Sequence, residues 1–333
     1  MNEIVVSGVR PTGKQHLGNY FGAVLNFVKM QNEYPNCYFF IADYHSLTTH
    51  PTPDNLSSNV RNTLIEYLAC GLDPDKCTLY AQSDVPQITE MYLIFNMLAY
   101  LGELEKVPTF KDKVRDQPNN VNAGLLTYPV LMAVDILIHK AEKVPVGKDQ
   151  MQHIEMTRNF SNRFNHIYKV DYFKEPQGFF YGDAPVSVPS LDGIGKMSKS
   201  KGENTCIYLN DSEDIIRKKV MRATTDSGPT VPNQPKNEAI ENIFSLMELC
   251  SSEDVKQFYN ESYNNWSIRY GDMKKQIAED MIALVKPLSE KIDYFQHHPK
   301  LLQEVLEKGG EKARASASKT LRDVREIIGL KYS

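Results

Sequence analysis

The sequence predicts an α/β protein: a Rossmann-like, doubly wound parallel sheet over residues 1–203, followed by an all-helical domain over residues 204–333. Three observations predict it. Short apolar, β-branched runs alternate with helical periodicity through the first half, which is the signature of βαβ units. The first of these runs passes through a glycine-bearing loop straight into an amphipathic helix. Beyond about Asp211 only helical periodicity remains.

Composition bounds the function class. The chain has 333 residues, 41% hydrophobic and 24% charged, which is ordinary globular usage and long enough for two domains. A formal net charge of −4 argues against a protein that coats nucleic acid through a global positive field, so any RNA contact uses local patches and DNA is not an expected partner. Cys37, Cys70, Cys77, Cys206 and Cys250 form no CxxC and no Cys/His ligand spacing, so no metal site is expected and the thiols read as those of a reducing compartment. No apolar run reaches the roughly 18 residues that span a bilayer, and MNEIVVSGVR lacks a signal-peptide pattern. The expected location is the cytoplasm.

Taken in order, Glu3 to Val9 reads as a buried strand. Arg10-Pro11-Thr12-Gly13 and His16-Leu17-Gly18-Asn19 follow, then a helix carrying Tyr20, Ala23, Val24, Phe27 and Val28 on one face. Free N–H groups at such a helix start suit an anion, and the glycines either admit a nucleotide or simply serve turn geometry. Cys37 to Ala42 is a second strand, ending in Asp43-Tyr44-His45, where open α/β sheets bind ligands. A helix over 56–72 and a strand over 77–82 continue the alternation. Residues 87–140 form a helical insertion, interrupted by a charged, proline-broken surface loop over 106–120 that holds Lys111 and Lys113.

Within 125–138, Tyr128, Met132 and Asp135 share one helix face at i, i+4 and i+7. An acid in so apolar a segment needs a donor, and a core cap and a ligand contact satisfy that need equally. Val144-Pro145-Val146 is a brief strand whose glycine turn, Gly147-Lys148-Asp149-Gln150, leads into the helix MQHIEMTRNFSNRFN. On that helix His153 and Arg158, with Glu155 beside them, read as a solvated or salt-bridged face. The stretch VPSLDGIGKMSKSK, from Val188, then sets Lys196, Met197, Ser198, Lys199 and Ser200 on a glycine-hinged loop over 196–200. Two ammonium groups and two hydroxyls on a movable loop suit phosphate. The C-terminal half carries helical patterns over 215–221, 240–249, 273–284, 301–305 and 321–328, with basic clusters at Arg217-Lys218-Lys219 and from Lys312 to Arg325.

His16-Leu17-Gly18-Asn19 and Lys196-Met197-Ser198-Lys199-Ser200, in that order and about 180 residues apart, resemble the HIGH-like and KMSKS signatures of the class I aminoacyl-tRNA synthetases. The resemblance sharpens to the tryptophanyl family through PTGKQHLGNYFGA, GLLTYPVLMAVDIL, VPVGKDQMQHIEMTRNFSNRFN and TTDS, and spans nearly the whole chain. Tyrosyl enzymes usually carry a Gln where Met132 stands. They are the nearest alternative, and a non-catalytic RNA-binding relative is another.

The resemblance implies a ligase that activates L-tryptophan with ATP and Mg²⁺ and charges tRNA(Trp), working as a homodimer with its anticodon side in 204–333. It implies ATP contacts from Arg10, Pro11, Thr12, Gly18 and Asn19, from Gly147, Lys148 and Asp149, from Val188 and from Lys196 to Ser200, with Lys113 as a further phosphate contact. It assigns catalysis to Lys196, Lys199, Ser198, Asn19 and Thr12. Asp135, Met132, Tyr128, His45 and Gln150 are the implied tryptophan residues. Arg10 and Lys148 depart from the family's usual Gln and acidic residue at those places.

Overall fold

A computed structural model of the chain describes residues 3–147, 150–181 and 186–330. Five strands form one parallel sheet in the order β3-β2-β1-β4-β5, with β1 Ile4–Val9, β2 Asn36–Ile41, β3 Thr78–Ala81, β4 Lys143–Pro145 and β5 Gln177–Phe179. β1 pairs along its whole length with β2, from Ile4 opposite Asn36 to Val9 opposite Ile41. On its other edge it meets β4 through Val5 and Lys143. Strand order therefore reverses between β1 and β4, the place where such sheets leave a crevice at their carboxyl ends.

The central strands are apolar throughout because both faces are covered. Successive side chains part to opposite sides: Val5, Phe39 and Leu79 enter one core, while Val6, Phe40 and Tyr80 enter the other. The first core is covered by the Pro53–Ala69 helix and runs without a break into the C-terminal helices Glu213–Met221, Glu238–Cys250 and Tyr270–Gln296. The second is covered by Gln87–Asn96, Ala123–Leu137 and Met151–Tyr168. Helix starts are capped by short polar side chains: Thr52, Asn122, Ser212 and Asn237 each accept a backbone N–H three residues on.

Several expectations change. Residues 106–120 are not simply a loop: Pro108–Asp116 is helical, with proline at the first turn, where a missing N–H costs nothing. A fifth strand, Gln177–Phe179, and a helix, Glu253–Asn264, were not expected. The patterns over 301–305 and 321–328 belong to one helix, Pro299–Ile327.

Gly309 and Gly310 in that helix look like a break and are instead a contact. The helix returns to the sheet and presses its backbone on β3, so that a Cβ on Gly309 would lie 1.7 Å from the Leu79 carbonyl oxygen. The basic residues nearby are engaged in holding this helix: Arg314 donates to the Asp84 carbonyl at 2.8 Å, and Arg325 pairs with Glu90 at 2.6 Å. Arg217 and Lys219 are likewise taken up, by Glu279 at 2.7 Å and Asp211 at 2.6 Å.

The Gly309 contact meets rigid backbone, whereas a Cβ on Gly310 meets first the mobile end of Arg314 at 2.9 Å. Gly309→Ala is therefore expected to cost about 3 kcal/mol by overpacking, and Gly310→Ala much less. Urea unfolding of the two variants checks the difference.

Candidate active site

A cavity of about 600 Å³ opens at the strand-order switch. The carboxyl ends of four strands bring its residues there. β1 runs into Arg10, β4 into Gly147 and β2 into the short turn with His45, all of which line it, while β3 runs into Gln82, which stands behind the lining and bonds Asp135. Gly8 allows the crowding within β1, since a Cβ there would fall 2.4 Å from the Phe40 ring.

Asp135, 2% exposed, points into this cavity from the Ala123–Leu137 helix. One carboxylate oxygen is 2.9 Å from His45 Nε2 and the other accepts from Gln82 Nε2 at 2.7 Å. Burial raises the carboxyl's pKa, and the bonds to His45 and Gln82 counter it. Asp135 is thus no helix cap. One turn before it Met132 lines the wall, and one turn before that Tyr128 hydrogen-bonds His153 Nε2 at 2.8 Å. Thr109 bridges the same pair, 3.2 Å from the imidazole.

Positive charge gathers at one side. Lys113 Nζ stands 3.3 Å from the centroid of the Tyr128 ring, a cation–π contact. Burial first, and the nearby Arg10 guanidinium second, bring the Lys113 pKa down to about 8. Arg10 is itself lowered by burial, and among the described residues it has a single long side-chain hydrogen bond, to Thr49 Oγ1 at 3.5 Å. Neither cation forms an ion pair among the described residues. Two adjacent cations without a carboxylate partner are arranged for an anionic ligand.

The two signature segments form a shelf beside the cavity. Backbone bonds from Leu17 to Ile207 at 2.9 Å and from Leu209 to Gln15 at 3.1 Å stitch the first loop to the stretch after the second. Asn19 Oδ1 accepts the His16 N–H at 3.1 Å. A Cβ on Gly18 would come 2.7 Å from the His16 ring, so close packing of the imidazole requires glycine. Burial, with Lys199 adding to it, holds His16 at a pKa of about 4 and hence neutral near pH 7.

On the second loop Met197 is buried and its N–H bonds the Val188 carbonyl at 2.8 Å. Lys199 Nζ rests on the first loop, 3.1 Å from the Gly13 carbonyl and 3.3 Å from that of Thr12. Ser198 and Ser200 bond each other at 2.9 Å, and Lys196 is exposed.

The sequence-derived residues thus divide. Arg10, Lys113, Gly147, His45, Tyr128, Met132, Asp135 and Gln150 line the cavity. Thr12, Gly18, Asn19, Val188 and the 196–200 segment make the shelf, with the side chains of Val188 and Met197 turned into the core. Pro11 is buried beside the first loop and has no polar side-chain group to offer. Lys148 and Asp149 lie outside the described residues. Sequence reading missed Gln82 and Thr109, and it misread His153, which is 1% exposed and borders the cavity. The signal was present: His153, Thr157, Phe160 and Phe164 follow helical spacing on one buried face.

Comparison with known proteins decides the family. The family described as tRNA synthetases class I (W and Y) matches residues 2–286. The tryptophan–tRNA ligase of Porphyromonas gingivalis is 58% identical over 99% of this chain and 100% of its own length. The chain belongs to the tryptophanyl-tRNA synthetases. The tryptophan–tRNA ligase of Rickettsia conorii is 39% identical over 99% of both chains. Among solved structures of tryptophanyl-tRNA synthetases, that from Campylobacter jejuni, complexed with ADP and tryptophan, superposes with a TM-score of 0.87 at 33% identity, covering 98% of this chain and 99% of its own.

Lys113 supplies a test of the cationic side. Its pKa falls from 10.5 unfolded to about 8 folded, so the unfolded chain binds the proton more tightly. The cost is present below pH 8 and is relieved as pH rises through 8 to 10.5. Lys113→Met is expected to raise stability at pH 7 by about 1 kcal/mol, a figure discounted for partial exposure, and to have little effect at pH 10. Thermal unfolding at the two pH values checks it.

Proposed function

We propose that the cavity takes the L-tryptophan side chain and the shelf takes ATP, in the two-step reaction of this family. The carboxylate of tryptophan attacks the α-phosphorus of ATP in line and pyrophosphate leaves. The aminoacyl group then passes from the adenylate to the 3′-terminal ribose of tRNA(Trp). No enzyme nucleophile is needed, so catalysis is positioning and charge stabilisation.

The buried Asp135 carboxylate carries this reading. Held by His45 and Gln82, it keeps lone pairs for the indole N–H, which can only donate. Met132 offers a polarisable wall to a large flat ring. A phenol is smaller and leaves part of that wall without contact. Tyr128 and Gln150 border the amino-acid end, and Arg10 with Lys113 faces the place where carboxylate and α-phosphate meet.

Thr12, Pro11, Gly18 and Asn19 receive the nucleotide from the first loop, with Gly147, Lys148 and Asp149 at the ribose and the Val188 backbone near the adenine. Lys196, Met197, Ser198, Lys199 and Ser200 close over the triphosphate. Lys199 then exchanges the Thr12 and Gly13 carbonyls for phosphate oxygens, gaining most as charge develops on pyrophosphate. Mg²⁺ brought with ATP would supply charge neutralisation there, beside Lys196 and Lys199. Among the described residues no cluster of three His, Cys, Asp or Glu side chains could hold it as a resident ion.

Residues 204–333 take the anticodon side of the tRNA in this reading. The enzyme works as a homodimer through Leu93, Met97, Tyr100 and Leu101, which are 57–74% exposed along one face, an apolar patch that supports a partner. The cytoplasm is its compartment, in keeping with five free thiols. No helix among the described residues is long and apolar enough to cross a membrane.

Exchange of pyrophosphate into ATP tests the assignment. It is expected with tryptophan and not with tyrosine; the reverse would sink it. Asp135→Ala is expected to lower kcat/KM for tryptophan by about 2 kcal/mol and to erase the preference over an N-methyl-indole analogue. Replacing Leu93 and Met97 together by Glu is expected to give a monomer in sedimentation.

A further inference from the structure

Beneath the shelf lies a carboxylate that the reaction above does not use. Glu66, on the Pro53–Ala69 helix, is 4% exposed. Its Oε1 accepts the Gln15 N–H at 2.8 Å, one residue before His16, and its Oε2 has no hydrogen-bond partner among the described residues. A buried carboxylate is costly unless other charge compensates it. Two cations act on it, Lys199 and Lys14, of which Lys199 is the stronger. Lys199 in turn is half-buried on the carbonyls of Thr12 and Gly13, where desolvation disfavours its ammonium form and the Glu66 charge favours it.

We propose that Glu66 is a positioning residue for the ATP half of the reaction: it anchors the first loop through Gln15 and supplies the buried countercharge that keeps Lys199 an ammonium. This rests on the phosphate-binding reading of Lys199. The helix that carries Glu66 also packs against the first β core, so the carboxylate ties both signature loops to the sheet's own scaffold.

The groups facing this pair are few. Lys14 and His16 lie on the first loop, with His16 held neutral. Cys206 lies on the second segment, with its thiol pushed up by burial. Tyr67 and Cys70 lie on the helix itself and Lys291 behind them, and burial keeps the phenol and the thiol protonated near neutral pH. Burial brings Glu66 to about 7, so it ionises across the range in which Lys199 must stay charged. Removing its charge leaves desolvation of Lys199 without an opposing anion near neutral pH, since the Cys206 thiol is then protonated.

Glu66→Gln keeps an acceptor for the Gln15 N–H and removes the charge. Pyrophosphate exchange measured from pH 6 to 10 is expected to show kcat/KM for ATP reduced about tenfold at pH 8 and the alkaline limb moved about one pH unit lower, with KM for tryptophan unchanged. Glu66→Asp, which keeps the charge and shortens the reach to Gln15, is expected to retain the alkaline limb. In a Lys199→Ala background Glu66→Gln is expected to have no further effect. A wild-type pH profile in Glu66→Gln, or an undiminished effect without Lys199, would overturn the proposal. If Lys199→Ala alone left exchange intact, the phosphate-binding reading of the loop would fail first. A merely structural Glu66 would lower the melting temperature of Glu66→Gln and leave the alkaline limb in place.

Discussion

β1 is the constraint on which the molecule depends. It is the one strand with partners on both sides that carry the chain in opposite directions across the sheet, to β2 and β3 on one edge and to β4 and β5 on the other. Because all five strands run parallel, their carboxyl ends lie together, and the switch between β1 and β4 leaves a gap there that no side-chain layer closes. Val5 and Val6 commit β1 to both cores, so the strand cannot slip in register by one residue without turning each into the wrong layer. Arg10 and the first loop start from that fixed point. The C-terminal helix reinforces the far edge, where the contact of Gly309 with Leu79 brings helix backbone onto strand backbone.

Buried polarity is handled by sharing. Asp135 divides its two oxygens between His45 and Gln82, residues delivered by different strands, so the acid's position is fixed by the sheet as well as by its own helix. Tyr128 and His153 do the same with Thr109 across two further helices. Such networks cost little when each member is satisfied, and they are stiff because moving one member unpairs the rest. A pocket wall built this way discriminates by the hydrogen bond a wrong ligand fails to make, in addition to its shape.

Much of this was legible in the sequence for physical reasons. Runs such as CYFFIA can only be strands covered on both faces, and the spacing of Tyr128, Met132 and Asp135 places them on one helix face without knowledge of the fold. The two signature loops declare themselves through residue type and order. What stayed hidden depends on long-range contact. Gln82 looks like an unremarkable strand end until Asp135 meets it, 53 residues later in the chain. His153 read as solvated because its charged neighbours Glu155 and Arg158 lie on the other face of the same helix. The helix Pro299–Ile327 read as two separate patterns because local periodicity cannot register the strand pressed against Gly309. Pro108–Asp116 read as loop because its charge masks a stripe that packs on one side only.

Charge placement ties these features to function. The chain's net charge is −4, and three cations of the basic clusters are paired, Arg217 by Glu279, Lys219 by Asp211 and Arg325 by Glu90, as is the neighbouring Lys308 by Asp75. Arg10, Lys113 and Lys199 are different. All three are at least half withdrawn from water, and among the described residues none has a carboxylate within ion-pair distance. Leaving a cation desolvated without a carboxylate in direct contact costs stability, and a polyanion that enters offsets the cost. The free energy of folding thus pre-organises a positive site against an acidic background. Such a site suits phosphate, whose oxygens replace the solvation that these cations have lost.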